Sequence, residues 1–450
     1  MKNKSQFVCS SCAHVEPKWV GRCSQCGEWN SFQEEVIDRK KRPTRDSNGP
    51  KPIGEISQSA YERVATGIGE FDRVVGSGLV RGSLLLVGGG PGIGKSTLIM
   101  EVCGKLGHIA PSEKILYVSG EESEGQVADR SKRLGIDSEN FFVLNETNWE
   151  KIRETLKSLR PSYFVLDSIQ TTSSDHLQST PGTVSQVREV TYEILNYCKA
   201  HSITSVIIGH ITKDGQIAGP KVLEHMVDAV VYFEGDPLGH YRILRSIKNR
   251  FGNTNEVGIF EMTELGLREV ADPSKYFLDL LSKDSYGRSI SCIVEGSRPL
   301  FIETQALVIE NKNGFGRRTA QGIDSGQLAM LVAVAEKYFD TPLSFSDIYA
   351  NIVGGIRLKT READLAVLAA ILSSLRKIPI PDDTILLGEV GLTGEVRSVP
   401  MPQMRIKEME RLQYKRLISS KRMAKEFQDL VDFPIVGIEK AHEIDELLFR

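Results

Sequence analysis

Residues 83–97 read SLLLVGGGPGIGKST, and this stretch decides the fold. Its first half is an apolar run with the character of a buried strand. Its second half, Gly89-Gly90-Pro91-Gly92-Ile93-Gly94-Lys95-Ser96, matches G-x-x-x-x-G-K-[ST] in full, and the LIMEVCGKL that follows Thr97 reads as a helix. Strand, glycine-rich turn and helix together make a phosphate loop. Glycines let backbone N–H groups converge on phosphate oxygens without Cβ clashes, and the helix N-terminus adds positive potential. Lys95 is placed to reach the β and γ phosphates, Ser96 to ligate Mg²⁺, and the Thr97 hydroxyl to touch phosphate.

Further strand-like runs lie outward from this loop: KILYVSG at 114–120, YFVLDS at 163–168, TSVIIGH at 204–210 and DAVVYFE at 228–234. Helical stretches between them predict a parallel α/β sheet built through crossovers. YFVLD ends on Asp167, ~70 residues after the phosphate loop, as a Walker B strand that orients Mg²⁺ requires. Glu121 and Glu122, in SGEES, follow a neighbouring strand, where a carboxylate faces the same crevice as the γ-phosphate. One of them is the candidate for positioning the attacking water, and the sequence does not separate them. His210 sits at a strand tip and reads either as a γ-phosphate sensor or as a structural histidine.

The N-terminus carries different chemistry. Cys9-x2-Cys12 and Cys23-x2-Cys26 are two pairs that can close a tetrahedral Zn²⁺ site. Four thiolates leave no open position for water, so the site reads as structural or interaction-bearing. Trp19 and Trp29, with Lys18 and Arg22, read either as a face for a partner or, the preferred reading, as the module's own small core. Only three of the chain's seven cysteines lie outside this module, which fits a metal site in a reducing compartment rather than a disulfide framework.

Composition sets the outer limits. The chain has 450 residues, 40% hydrophobic and 26% charged, with a formal net charge of −3, which excludes collagen-like, mucin-like and bulk disordered classes. No apolar run approaches the ~18 residues a membrane helix needs. The N-terminus has no signal-peptide core, so a cytoplasmic location without membrane association is expected. The expected organisation is a zinc module over 1–33, a polar linker over 34–59, a phosphate-loop α/β domain over 60–270 and an α+β domain over 271–450.

The order of four-cysteine module, phosphate loop, GEES, LDS, GHITKDG and Lys248-Asn249-Arg250-Phe251-Gly252 resembles the RadA (Sms) family of bacterial DNA repair proteins, relatives of RecA and of hexameric replicative helicases. The resemblance implies a homo-hexameric ring that hydrolyses ATP, binds single-stranded and branched DNA, promotes branch migration and works with the RecA recombinase. It implies that Lys95, Ser96 and Asp167 serve nucleotide and Mg²⁺, with Glu121 or Glu122 near the water. Lys248 or Arg250 can supply a cation across a subunit interface or contact DNA phosphates. RecA-like proteins place DNA loops where residues 173–189 and 211–224 fall here, which makes Arg188, Lys213 and Lys221 the candidate phosphate contacts.

Residues 285–450 are similar to the proteolytic domain of Lon through Gly354-Gly355, LAVLAAILSS at 365–374 and GEVGLTGEVRSV at 388–399. Lon's serine–lysine dyad is missing: Glu362 or Ala363 falls at the serine position, and Met404-Arg405-Ile406 at the lysine position, with Lys407 displaced. The domain therefore reads as an oligomerisation and DNA-binding scaffold. Lys359, Arg361, Arg397, Arg405, Lys407, Arg411 and Arg416 are expected to form its basic surface. Two rival readings are a nucleotide-gated module that loads RecA without translocating and, disfavoured by the missing dyad, an ATP-dependent protease.

Overall fold

The computed structural model describes residues 4–9, 14–37, 62–210, 223–235, 241–270, 272–274, 285–311, 314, 316–353 and 356–449. Lys213, Lys221, Gly354 and Gly355 lie outside the described residues, as does Cys12. The chain divides into two compact units, Met1–Glu269 and Val270–Arg450.

The first unit begins with a small antiparallel sheet in which β1 (Lys4–Cys9) lies between β2 (Val15–Glu16) and β3 (Phe32–Ile37). The expected linker therefore starts later than residue 34. Ladder pairing from Cys9↔Phe32 to Lys4↔Ile37 carries the sheet four residues further, because backbone pairing needs no apolar side chains. Cys9, Cys23 and Phe32 form the module's core, with Phe7 and Val20 packed against it. Trp19 and Trp29 do not belong to that core: they are 53% and 67% exposed. Cys9, Cys23 and Phe32 occupy the centre instead.

The main body of this unit is a nine-stranded sheet. After a short pair, β4 (Arg63–Val64) with β5 (Leu79–Val80), come β6 (Leu84–Gly89), β7 (Ile115–Ser119), β8 (Phe141–Asn145), β9 (Tyr163–Asp167), β10 (Thr204–His210) and β11 (Ala229–Glu234). These six pair in parallel in the order β11-β6-β10-β9-β7-β8. A meander of β12 (Tyr241–Asn249), β13 (Val257–Thr263) and β14 (Gly266–Glu269) extends the β11 edge antiparallel. Every residue of β6, β7 and β9 is buried, as expected of parallel strands covered on both faces.

The helices supply that cover. α1 (Gly69–Val75) and α2 (Lys95–Ile109) bury Phe71, Val74, Leu98, Ile99 and Val102 in one cluster with Leu85, Val87 and Val165. α3 (Glu124–Arg133) begins with a Ser123–Gln126 capping box, which satisfies N–H groups that a helix start leaves open. α4 (Trp149–Leu159) and α5 (Val184–Ala200) cover the opposite face through Trp149, Ile152, Val187, Val190 and Ile194. Residues 173–189 are therefore not one loop. The apolar period Val184, Val187, Val190, Ile194 closes a helix from Val184, and Arg188 is an exposed side chain on it.

The second unit is built on a seven-stranded sheet in the order Arg318–Gln321, Ser346–Ile352, Arg298–Glu310, Arg288–Glu295, Thr384–Leu386, Arg416–Ser420, Ile435–Ile438. The helix Asp364–Arg376 crosses it, and Asp364 to Ser374 are all buried. The expected basic surface is smaller than its residue list. Arg405 is fully buried. Arg361 pairs with Asp364 and Glu389, Arg397 with Glu389 and Glu395, and Arg411 with Asp272 and Glu408. Among the described residues no helix is long and apolar enough to cross a membrane.

Candidate nucleotide and metal sites

Strand register assembles the nucleotide site. His210 at the end of β10 lies opposite Gly89 at the end of β6, Ile208 lies opposite Asp167, and Asp167 lies opposite Ser119. The carboxyl ends of four adjacent parallel strands thus form one row, which is where open α/β sheets bind ligands. The loop between β6 and α2 bends over that row. Gly94 has φ +107, and a Cβ there would come within 2.8 Å of Met262, so only glycine fits.

Lys95 lies under the loop, 3% exposed. Its Nζ donates to the carbonyls of Gly89 at 3.0 Å and Gly90 at 2.8 Å, and to His210 Nδ1 at 3.1 Å. Burial lowers its pKa to about 8, opposed by the charges of Asp167 and Glu121. Because Nδ1 accepts from Lys95, His210 Nε2 carries the proton and donates to Glu121 Oε1 at 3.1 Å. Ser168 Oγ donates to the same carboxylate oxygen. Lys95, His210, Glu121 and Ser168 therefore form one continuous chain of contacts.

The two GEES acids part company here. Glu122 accepts from Arg130 on α3, and its backbone is tied to the Ser119 hydroxyl and to Asn145. Glu121 is joined to Lys95 through His210, whereas Glu122 is held by Arg130. Asp167 is 6% exposed and accepts from the Tyr117 hydroxyl at 2.6 Å. Burial of the phenol, followed by the Asp167 charge beside it, pushes the Tyr117 pKa well up, so the phenol stays a donor. Ser96 and Thr97 stand half-buried in the first turn of α2. Pro91 is exposed, and Gly92 takes φ +71.

Arg242 is a residue that motif reading missed. It is 4% exposed, and its Nε donates to the carbonyl of Ile93 at 3.1 Å, holding the phosphate loop from β12. No local spacing marks it, because the contact joins residues 149 apart in sequence.

The K-N-R-F-G turn closes β12 and is pinned from several sides. Lys248 Nζ donates to the carbonyls of Glu224, Val227 and His225 at 2.7, 2.9 and 3.4 Å. Asn249 Nδ2 donates to the carbonyl of Val75 at 3.1 Å, and Arg63 donates to the carbonyls of Gly76 and Phe251. Arg250 Nη1 donates to Asp228 Oδ1 at 3.1 Å. The turn is not near Lys95 through any contact among the described residues of its own chain. Arg188 is exposed on α5.

In the N-terminal module the thiols of Cys9, Cys23 and Cys26 all lie within 4.8 Å of one another. Cys9 Sγ and Cys26 Sγ are 3.7 Å apart. Four sulfurs around zinc at about 2.3 Å have edges of about 3.8 Å, so the described thiols fit the ion. His14 contacts Glu16 and Ser24 and stands outside the cluster. In the second unit, Glu362 and Arg405 meet in a buried ion pair at 2.6 Å. Arg405 also donates to the carbonyls of Pro400 and Cys292.

Comparison with known proteins agrees with both sites. A rubredoxin metal binding domain matches residues 7–34, and a KaiC ATPase domain matches residues 64–149. A protein named DNA repair protein RadA from Bacillus subtilis is 46% identical over 425 residues, covering 93% of this chain and 92% of its own. One of the same name from Aquifex aeolicus is 43% identical over 448 residues, covering 98% and 99%. One from Pseudomonas aeruginosa is 43% identical over 425 residues, covering 93% of each. The N-terminal module is a zinc ribbon, the first unit carries a RecA-like ATPase domain, and the chain is an ATP-hydrolysing DNA repair protein that belongs to the RadA family.

Proposed function

We propose that this ATPase is a ring-shaped translocase on single-stranded DNA that promotes branch migration of recombination intermediates. The observation that carries the reading is the joining of Lys95 to His210 at the tip of β10. Residue 211, which opens a candidate DNA segment, follows directly. A γ-phosphate arriving at Lys95 competes with His210 for the ammonium, so nucleotide state is passed to the start of that segment.

Within the site Glu121 is the base that positions water, because it faces Lys95 while Glu122 is held by Arg130. Ser96 and Asp167 would hold Mg²⁺, which supplies neutralising charge at the β and γ phosphates. Arg188, Lys213, Lys221, Lys248 and Arg250 are the cations assigned to DNA or to a neighbouring protomer. The ring is a homo-hexamer, and RecA is its partner on branched DNA. The second unit serves as a Lon-like scaffold without peptidase activity. Glu362 or Ala363 falls at the serine position of Lon and Met404-Arg405-Ile406 at the lysine position, and the buried Glu362–Arg405 ion pair supports the absence of a nucleophile and its base there.

The test is a branch-migration assay on a three-strand recombination intermediate. ATP should drive conversion to product, and a non-hydrolysable analogue should not. Equal conversion with both would refute translocation and favour a nucleotide-gated RecA loader.

A further inference from the structure

Tyr117 stands in the middle of β7 and is 1% exposed. It lies opposite Val165, two residues short of Asp167 on the neighbouring strand β9. Tyr117 and Asp167 are thus diagonal neighbours, a separation that a long aromatic side chain spans. The ring meets Phe141 edge-on, with centroids 6.1 Å apart at 77°, and belongs to the apolar cluster that holds Leu98, Val102 and Cys103 of α2. From that setting its hydroxyl donates to Asp167 Oδ2 at 2.6 Å.

The carboxylate receives unusually little else. A buried carboxylate ordinarily gathers several donors. Among the described residues no other group donates to that of Asp167, and no cation forms an ion pair with it. The two nearest hydroxyls are engaged elsewhere. Ser119, directly opposite Asp167 in the ladder, donates to the carbonyl of Glu122 at 2.9 Å, and Ser168 donates to Glu121. Lys95 acts on Asp167 through its charge and spends its hydrogen bonds on Gly89, Gly90 and His210. Oδ1 is therefore left without a protein donor, at the strand end that forms the nucleotide row. An anionic oxygen kept open in that place fits the water shell of a Mg²⁺ ion.

We infer that Tyr117 is a positioning residue for ATP hydrolysis: its hydroxyl holds Asp167 by Oδ2 and so reserves Oδ1 for the Mg²⁺ that accompanies the nucleotide. This rests on the proposed reading that Asp167 orients Mg²⁺. A carboxylate held at neither oxygen turns broadly about its Cβ–Cγ bond. One charge-assisted hydrogen bond from a ring locked in the core fixes that torsion. A tyrosine whose hydroxyl merely needed a partner would show the same contact, and Tyr117→Phe separates the two. Phenylalanine keeps the ring in the cluster and removes only the donor.

The test uses full-length Tyr117→Phe, Asp167→Asn and the double variant. Each is titrated with Mn²⁺, which occupies the same oxygen sites as Mg²⁺ and is read by electron paramagnetic resonance. A non-hydrolysable ATP analogue is present, so turnover does not enter the reading. Tyr117→Phe should weaken Mn²⁺ binding about tenfold, the scale on which a partner of a metal-orienting group acts, and should bind the analogue without metal as the parent does. Hydrolysis should lose about tenfold in kcat at saturating Mg²⁺, with KM for ATP within about twofold of the parent. In the Asp167→Asn background the effect of Tyr117→Phe should vanish, because the oxygen it positions is gone.

Unchanged Mn²⁺ affinity in Tyr117→Phe, or the same fractional loss with and without Asp167→Asn, would overturn the inference. Loss of metal-free analogue binding in Tyr117→Phe would assign the residue to the core and overturn it as well. Parent-level Mn²⁺ affinity in Asp167→Asn would sink the reading of Asp167 itself, and the inference with it. Weakened affinity in Asp167→Asn beside parent-level affinity in Tyr117→Phe would overturn the inference alone.

Discussion

Nucleotide affinity should fall steeply above pH 8, and the magnitude follows from Lys95. In the empty site its pKa lies at about 8, lowered by burial beneath the phosphate loop. A triphosphate beside it favours the ammonium, so binding at higher pH must take up a proton. Between the empty-site value and the ordinary lysine range, affinity should drop about tenfold per pH unit, or about 1.4 kcal/mol. The dissociation constant at pH 9 should be about ten times that at pH 7. The triphosphate contributes little to this change, because its last phosphate ionisation lies below pH 7.

Folding stability should move the other way. The folded pKa of Lys95 is depressed below its unfolded value, so from pH 8 upward the unfolded chain binds the extra proton and the folded state gains from this group. Alkaline unfolding through this group therefore cannot imitate the affinity loss. The assay is equilibrium titration with a fluorescent non-hydrolysable ATP analogue and Mg²⁺ from pH 7 to 9.5. A flat dissociation constant across that range would refute the assignment of Lys95 as a desolvated phosphate ligand.

Three other outcomes are expected. Glu121→Gln should bind nucleotide near the parent affinity but lose turnover by about 100-fold or more, while Glu122→Gln keeps most of it; single-turnover hydrolysis distinguishes them. Glu362→Ala should destabilise the second unit by about 3 kcal/mol, because it strands a fully buried guanidinium, and hydrogen exchange of Val294, which donates to Glu362, reads the loss. Zinc removal by a chelator should melt the pairing of β1 with β3 without altering exchange in β6 or β10, since a module with so small a core folds around its metal.

Much of the nucleotide and zinc chemistry was legible because it is local. A phosphate loop, a strand ending in Asp167 and two Cys-x2-Cys pairs each place their groups within one turn or one strand end. What stayed hidden depends on contacts between distant segments. Choosing Glu121 over Glu122 needs the positions of His210 and Arg130, set by β10 and α3. Arg242 and Asp228 carry no motif signal, yet each holds a backbone group or a cation of the site. Counting basic residues over-read the second unit, because most of those arginines are matched by acids supplied from other turns and strands. Trp19 and Trp29 stand outside the core for a related reason: tryptophan usually seeks a core, but Cys9, Cys23 and Phe32 occupy this one.

The most direct test of the whole account is the rate of ATP hydrolysis by the purified full-length protein with and without single-stranded DNA. The account predicts a rate raised several-fold by the strand, lost in Lys95→Ala, with strand binding that weakens steeply as salt rises. Hydrolysis at the same rate with and without the strand would contradict it.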